Sequence, residues 1–424
     1  MNFKASLLTL LAAATLTAGL ARQAKTVKPV PSAVNIPSLP GLQLIDQLIR
    51  QNVDKGQIAG GIGYIAIDGK VVYNKAFGYS DAATKTILRT DHIFRIASQT
   101  KAITSTAVMM LFDEGKLLLD DPVSRYIPSF SKPVVLDKFN PADSTYTTVP
   151  AKREVTIRDL LTHTSGIDYA VIGSATMKAI YAKAGIPVGF ESSGLTLSEA
   201  MDRLGKQPLV HQPGERFTYG LNTDVLGYIV EVVSGKTLDV FFSERIFKPL
   251  GMDDTYFYLP PSKYPRLVSV HTFDAEGKLV KYERNGVLIA DYPKTQGHYF
   301  SGGAGLSSTI GDYAVFLQML LNRGTYKGKR LLSARSVDLM TTNQIGELFV
   351  RTDKFGLGFQ ITTEAGKAKL GMSVGSFAWG GYFGTTYWVD PEKKMVCLFF
   401  AQQSPLKSDI HDKFRSLVYQ AVTE

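Results

Sequence analysis

The 424-residue chain has one cysteine, Cys397, so no intrachain disulfide can form and a bridge-stapled scaffold is excluded. Its six histidines, His92, His163, His211, His271, His298 and His411, show neither H-x-x-x-H nor H-E-x-x-H spacing, so no zinc or other metal site is expected, and no cofactor. Lysine and arginine nowhere form a run. The densest stretch, Lys327-Gly328-Lys329-Arg330, is short and reads as a solvated turn. The net charge of +9 is therefore read as a solubility feature, and no nucleic-acid partner is expected. Nowhere past the first two dozen residues does an uncharged apolar run approach the ~18 residues a membrane span needs. No fixed-period repeat is present. What the chain does have is 45% hydrophobic and 20% charged residues, the balance of a folded chain and not of a disordered one. Its length suits two or three structural units.

Met1–Lys4 carry one positive charge, and Ser6–Ala21 form an apolar run of small residues and leucine. Gly19 and Ala21 place small residues at −3 and −1, so residues 1–21 read as a signal peptide cleaved after Ala21, with an uncleaved anchor as the rival reading. No cysteine follows to accept a lipid. Residues 22–40, with Pro29, Pro31, Pro37 and Pro40, read as an extended linker.

Beyond the linker, Leu44, Ile45, Leu48 and Ile49 predict an amphipathic helix over Leu42–Val53. Gly61–Ile67 and Lys70–Phe77 flank Asp68-Gly69, the kind of pair that closes a two-residue hairpin. From Ile96 to about Val240 the pattern is helical and loop-rich, with helices expected over Ser98–Glu114, Ile157–Leu161, Leu197–Leu204 and Thr223–Val233. Strands return at Gly356–Thr362, Gly384–Val389 and Met395–Gln402, before a closing helix over about Ser408–Val422. Strands at both ends of the chain with helices between them predict an α/β sheet domain from residues 41–95 and 300–424, and a helical domain from residues 96–299.

Two serines compete as nucleophile. Ser98 lies in Ser98-Gln99-Thr100-Lys101, just before the apolar, helix-compatible Ala102–Phe112. A spacing of three puts Ser98 and Lys101 on one helical face. At a helix start the unpaired N–H groups favour a developing anion, and burial of the neighbouring lysine disfavours its charged form. An N-capping serine beside a solvent-facing lysine would show the same four residues. Ser373, in Gly371-Met372-Ser373-Val374-Gly375, fits G-x-S-x-G, with Asp390 and His411 downstream in hydrolase order. A nucleophile elbow needs an apolar strand before the serine and a helix after it. Ala365-Gly366-Lys367-Ala368-Lys369 and Ser376–Gly381 supply neither, so this segment reads as a loop. His163 reads as a local hydrogen-bonding residue, Cys397 as a buried filler, and Asp120-Asp121 before Pro122 as turn chemistry.

Further motifs follow in order: Leu160-Leu161-Thr162-His163-Thr164-Ser165-Gly166, Pro213-Gly214-Glu215-Arg216-Phe217-Thr218-Tyr219, Lys248-Pro249-Leu250-Gly251-Met252, Ser301-Gly302-Gly303-Ala304-Gly305-Leu306 and Trp379-Gly380-Gly381. With Ser98-Gln99-Thr100-Lys101, the set resembles the serine β-lactamase and penicillin-binding-protein superfamily, in its class C-like branch, and most of all the family VIII carboxylesterases. The resemblance spans about Leu42–Val422. It implies a β-lactamase/transpeptidase-like fold, an antiparallel sheet flanked by helices with an inserted helical domain. It also implies Ser98 as the acylated nucleophile, Lys101 as its partner and Tyr219 as a general base assisted by Lys101. Trp379-Gly380-Gly381 takes the place of the lactamase Lys-Thr-Gly strand, and the backbone N–H of Tyr382 pairs with that of Ser98 as the oxyanion hole. Tyr382 and Phe383 are candidates to line an acyl pocket.

The sequence departs from the lactamases where a lysine becomes Trp379 and where Leu221 holds the asparagine position, with Asn222 one residue late. The class A glutamate for deacylation is also absent. The first two departures are shared with the esterase branch. The resemblance therefore implies a secreted or periplasmic serine hydrolase acting on a small ester or amide, with a carboxylesterase preferred. A β-lactamase or D-alanyl-D-alanine peptidase, and an acyltransferase sharing the acyl-enzyme, are the alternatives; a non-catalytic binding protein is the remote one. Arg351 and Lys354 are the candidates to restore the missing cation. The leader has its own test: protein made with its natural amino terminus should be recovered from the periplasm or medium and begin at Arg22 by amino-terminal sequencing. A cytosolic chain starting at Met1 refutes that reading.

Overall fold

A computed structural model describes residues 41–189, 194–283 and 290–423. The expected signal peptide and linker, residues 1–40, lie outside the described residues. The hairpin forms as its turn requires: Asp68 and Gly69 have φ of +48° and +72°, and Ile67 pairs with Lys70 across them. This hairpin belongs to an eight-stranded sheet whose pairings are all antiparallel. From one edge to the other the strands are Lys354–Phe355, Gln360–Ile361, Phe377–Gly381, Thr385–Asp390, Met395–Phe400, Gly60–Ile67, Lys70–Asp81 and Thr86–Ile87.

Met395–Phe400 is buried throughout because both sheet faces are covered. Strand alternation sends Val396, Leu398 and Phe400 into one core and Met395, Cys397 and Phe399 into another. The second core is closed by the helices at the two ends of the described chain. Leu42–Asp54 contributes Ile45 and Ile49, four apart, and Ile410–Thr423 contributes Phe414 and Val418. Cys397 is fully buried there, and burial pushes its thiol pKa well up, so it acts as an apolar filler. On the opposite face the helices Thr100–Asp113, Asn222–Ser234 and Ile310–Leu321 share one continuous core with the sheet. This is the β-lactamase/transpeptidase-like arrangement: a large antiparallel sheet flanked by helices.

Three expectations need correction. Gly356–Thr362 is not one strand: only Gln360–Ile361 is strand, and residues 356–359 are the turn that pairs it with Lys354–Phe355, where Gly358 has φ +99° and a side chain at Gly356 would meet Met340 O at 2.0 Å. The stretch from Ile96 to Val240 is interrupted by a hairpin, Val134–Asn140 with Thr145–Pro150, whose β-branched run Thr147-Thr148-Val149 was legible. Finally, Ser98 does not open an α-helix. It lies in a 3₁₀ turn, Ala97–Gln99, and the α-helix runs Thr100–Asp113.

Burial lowers the pKa of His92, His163, His211, His271 and His411, the last to about 4. In the unfolded chain these groups protonate near 6.5, so between 6.5 and their folded values the unfolded state binds more protons. Stability is therefore fully present above pH 6.5 and falls as pH drops, with His411 alone removing on the order of 3 kcal/mol by pH 4. Thermal unfolding between pH 7.5 and 4.5 should show a falling midpoint, less steep in His411→Gln. A flat profile contradicts this account.

Candidate active site

The turn carrying Ser98 is held in an uncommon backbone shape. Ala97 has φ +45°, a left-handed conformation that costs a non-glycine residue on the order of 1–3 kcal/mol and persists only where its surroundings impose it. Gln402, just past the fully buried strand, accepts the Arg95 N–H at Oε1 (2.7 Å) and donates from Nε2 to Arg95 O (3.3 Å). The Ile96 N–H donates to Leu306 O (3.0 Å), and the Tyr313 hydroxyl to Gln99 O (2.7 Å). The Arg95 guanidinium is itself buried and donates to the carbonyls of Val268 (2.7 Å) and Ala290. Burial draws its pKa down to about 10, which leaves it charged at neutral pH.

From this turn Ser98 emerges half-buried, and Lys101 lies three residues on with 2% exposure. An ammonium has three N–H donors, and Lys101 Nζ has three acceptors: Gly303 O at 2.7 Å, the Tyr169 hydroxyl at 2.8 Å and Ser98 Oγ at 3.4 Å. Behind it lies the fully buried Asp224, which accepts from Ser301 Oγ (2.6 Å), Tyr299 OH (3.3 Å) and Gly303 N–H (3.4 Å). Burial holds the Asp224 carboxyl above the usual range, opposed by the Ser301 hydroxyl and by the Lys101 charge. Gly303 has to be glycine, because a Cβ there would stand 2.5 Å from Asp224 Oδ2 and 3.5 Å from Lys101 Nζ. Tyr169 and Asp224 carried no motif in the sequence reading. Their signal is spatial: a buried lysine requires acceptors, and these two residues, 68 and 123 positions away, supply them or balance its charge.

Tyr219 closes the group. Lys101 Nζ stands 4.7 Å from its ring centroid, and the Trp379 indole N–H donates to its hydroxyl at 3.3 Å. The Tyr219 and Trp379 rings are 5.3 Å apart, and on another side His163 packs at 4.8 Å. His163 Nδ1 accepts from Asn222 Nδ2 at 2.9 Å, and burial together with Lys101 pushes its pKa well below 6.5, so it is a neutral packing residue. The Asn222 amide is thus engaged by His163 and the Ser165 hydroxyl. The motifs around Tyr219 shape its loop. The Thr218 N–H donates to His163 O (2.7 Å), and a Cβ on Gly220 would lie 2.0 Å from Ile167 O.

Ser98, Tyr219, Trp379, Gly380 and Tyr382 line one cleft of about 740 Å³. The strand Phe377–Gly381 is pressed against the serine turn: a Cβ on Gly381 would come within 2.4 Å of Ile96 O. Tyr382, the next residue, is 39% exposed and meets Phe383 edge-on at 5.3 Å; Phe383 itself is buried, so only Tyr382 of the expected acyl-pocket pair lines this cleft. Ser373 instead lines a separate groove, in a loop after the helix Glu364–Leu370. Its would-be partners are engaged elsewhere, His411 with Gly384 O (3.1 Å) and Asp390 with Tyr419 OH (2.6 Å). No G-x-S-x-G triad forms. Among the described residues no group of acidic, histidine or cysteine side chains has a metal-binding arrangement.

The model of the family described as Beta-lactamase matches residues 45–420. The chain is 35% identical to an uncharacterised protein of Mycobacterium tuberculosis over 84% of this chain and 89% of that one. It is 28% identical to esterase EstB of Burkholderia gladioli over 85% and 90%. Relatives named as a D-alanyl-D-alanine carboxypeptidase and as acyltransferases also match. Among solved structures, EstCE1, a hydrolase with promiscuous acyltransferase activity, superposes with a TM-score of 0.77 at 26% identity, covering 91% of this chain and 98% of that one.

The close approach at Gly303 yields a test. Gly303→Ala forces the Asp224 carboxylate to move from behind Lys101, and a displacement on the order of 1 Å passed on to a reacting group costs about 10²-fold in rate. Turnover should fall by that order while the circular dichroism spectrum is retained. Near-full activity would show that the Lys101–Asp224 arrangement does not control the site.

Proposed function

The chain belongs to the beta-lactamase family, and from that premise we propose that it is an exported carboxylesterase working through an acyl-enzyme on Ser98. The observation that carries the reading is the cleft itself, in which one buried amine hydrogen-bonds Ser98 Oγ and sits against the Tyr219 ring. In the proposed sequence the Tyr219 oxygen takes the Ser98 proton as Oγ attacks the ester carbonyl. In this step Tyr219 acts as the phenolate, a negative charge that the Trp379 N–H and the Lys101 side chain both favour and that the transfer neutralises. The backbone N–H groups of Ser98 and Tyr382 receive the oxyanion, the alcohol leaves with the proton, and water repeats the steps on the acyl-enzyme. Lys101 holds Ser98 and Tyr169 in place.

Ester preference rests on Trp379. A β-lactam or D-alanyl peptide carries a carboxylate beside the scissile amide, and a site selecting it normally supplies a cation. At 379 there is an indole, which adds an apolar face. Losing one charge-assisted hydrogen bond costs about 1.5–3 kcal/mol, or one to two decades of kcat/KM. Lys354 is not a substitute cation, because its amine is bonded to the carbonyls of Gly346 (2.7 Å) and Leu348 (3.0 Å).

On one purified sample, p-nitrophenyl butyrate should be hydrolysed with higher kcat/KM than a chromogenic cephalosporin or a D-Ala-D-Ala peptide. Trp379→Lys should shift the ratio toward the cephalosporin. Lys101→Ala and Tyr219→Phe should each lose about 10²–10⁴-fold, and the double variant little more, because the two act as a unit. A wild-type cephalosporin rate equal to or above the ester rate would favour a β-lactamase instead.

A further inference from the structure

We propose that Arg351 binds a carboxylate on the substrate, so that the natural substrate is an ester whose apolar body carries an acid group separated from the scissile bond. This rests on the reading of the Ser98 cleft as an esterase site and names its substrate class.

Two guanidiniums line the cleft. Arg415 is the less accessible: its Nη1 pairs with Asp412 at 3.1 Å, its guanidinium stands 5.5 Å from the Trp388 ring centroid, and its side chain is only 12% exposed. Arg351 is exposed and forms no hydrogen bond or ion pair among the described residues. It is not the tip of a loose loop. The N–H groups of Val350 and Asp353 each donate to the other residue's carbonyl, at 2.9 and 3.0 Å, which closes a tight turn with Arg351 and Thr352 at its centre. Arg351 has φ +61° there, a conformation that asparagine or glycine adopts more readily. Below the turn, Asp353 is fully buried and accepts from the Thr363 N–H (3.2 Å) and the Gln360 amide (2.5 Å). Lys354 ties Gly346 and Leu348 together and covers the Phe349 ring at 3.6 Å. Val350 packs in a small apolar cluster that includes Phe355 and reaches Trp379.

The paired turn thus holds the Arg351 backbone in a fixed place, braced against the wall that holds Trp379. The surrounding cleft residues Ile172, Phe349 and Val350 are apolar, the first two 53% and 54% exposed. A planar fork of donors beside apolar surface suits a carboxylate on a hydrocarbon body. Because this loop is separate from the strand that carries Trp379, it suits a flexible acid-bearing ester better than a β-lactam, whose carboxylate is fixed beside the reacting amide.

Two matched pairs test this: mono-(4-nitrophenyl) adipate against 4-nitrophenyl hexanoate, with the acid on the acyl side, and 4-carboxyphenyl butyrate against phenyl butyrate, with the acid on the alcohol side. In at least one pair the ratio of kcat/KM for acid over neutral ester should fall about 10- to 100-fold in Arg351→Gln, and less in Arg351→Lys. Added salt should lower the wild-type ratio, since the site is open to solvent. Calorimetry on Ser98→Ala supplies a readout without turnover: the acid ester should bind more tightly than its neutral partner, and adding Arg351→Gln should abolish the difference. If both pairs keep their ratios and their relative affinities in the Arg351 variants, the inference is overturned. If the wild type hydrolyses none of the four esters yet the affinity difference depends on Arg351, the esterase reading falls and the carboxylate site stands.

Discussion

A buried amine governs the centre of this molecule. Lys101 is 2% exposed, and a charge so far from water is tolerated only where acceptors and an opposing charge surround it. Its three N–H donors are matched by a backbone carbonyl, a tyrosine and the serine three residues back, with the carboxyl of Asp224 set behind. Those partners come from four separate parts of the chain. The helices Thr100–Asp113 and Asn222–Ser234 pack together, and the glycine-rich segment Ser301–Leu306 lies against both. A requirement for four hydrogen-bonding groups in one place thereby fixes how helices and loops meet the strand Phe377–Gly381.

The same requirement accounts for the small residues. A side chain at Gly302 would meet Thr223 O at 2.5 Å, one at Gly303 the Asp224 carboxylate at 2.5 Å, and one at Gly381 the carbonyl of Ile96 at 2.4 Å. Each glycine lets a backbone approach the serine turn or the lysine closely enough for a carbonyl or N–H to act as a functional group. Around this polar centre the aromatic residues Tyr219, His163, Phe217, Phe355 and Trp379 form a contiguous set of ring contacts. They pack against the tyrosine ring and set its direction, with one hydrogen bond from Trp379 aimed at its oxygen.

Much of the fold was legible because its signals are local. Asp68-Gly69 reported its own hairpin, Ile45 and Ile49 their own helix face, and Ile157–Leu161 and the closing helix their own boundaries to within two residues. Errors arose where long-range contacts overrode local preference. Ser98 sits in a 3₁₀ turn because Gln402 and Leu306, some 300 and 200 residues away, hold Arg95 and Ile96. Gly356–Thr362 reads as a strand by pattern but bends to fit against Met340.

By itself the sequence supplied the candidate residue types and their order: a serine three residues before a lysine, a tyrosine behind a Pro-Gly turn and, by resemblance, a tryptophan at the place of the lactamase lysine. Side-chain spacing and ordered motifs survive in one dimension, so these were readable. Only the tertiary structure decided that Tyr169 and Asp224 complete the lysine's surroundings, that Asn222 turns toward His163, that Ser373 opens into another groove, and that Arg351 rather than Lys354 faces the cleft. Each of those outcomes depends on which groups a buried charge or an orphaned donor can reach in space, and that reach is set by packing between segments that the linear pattern leaves independent.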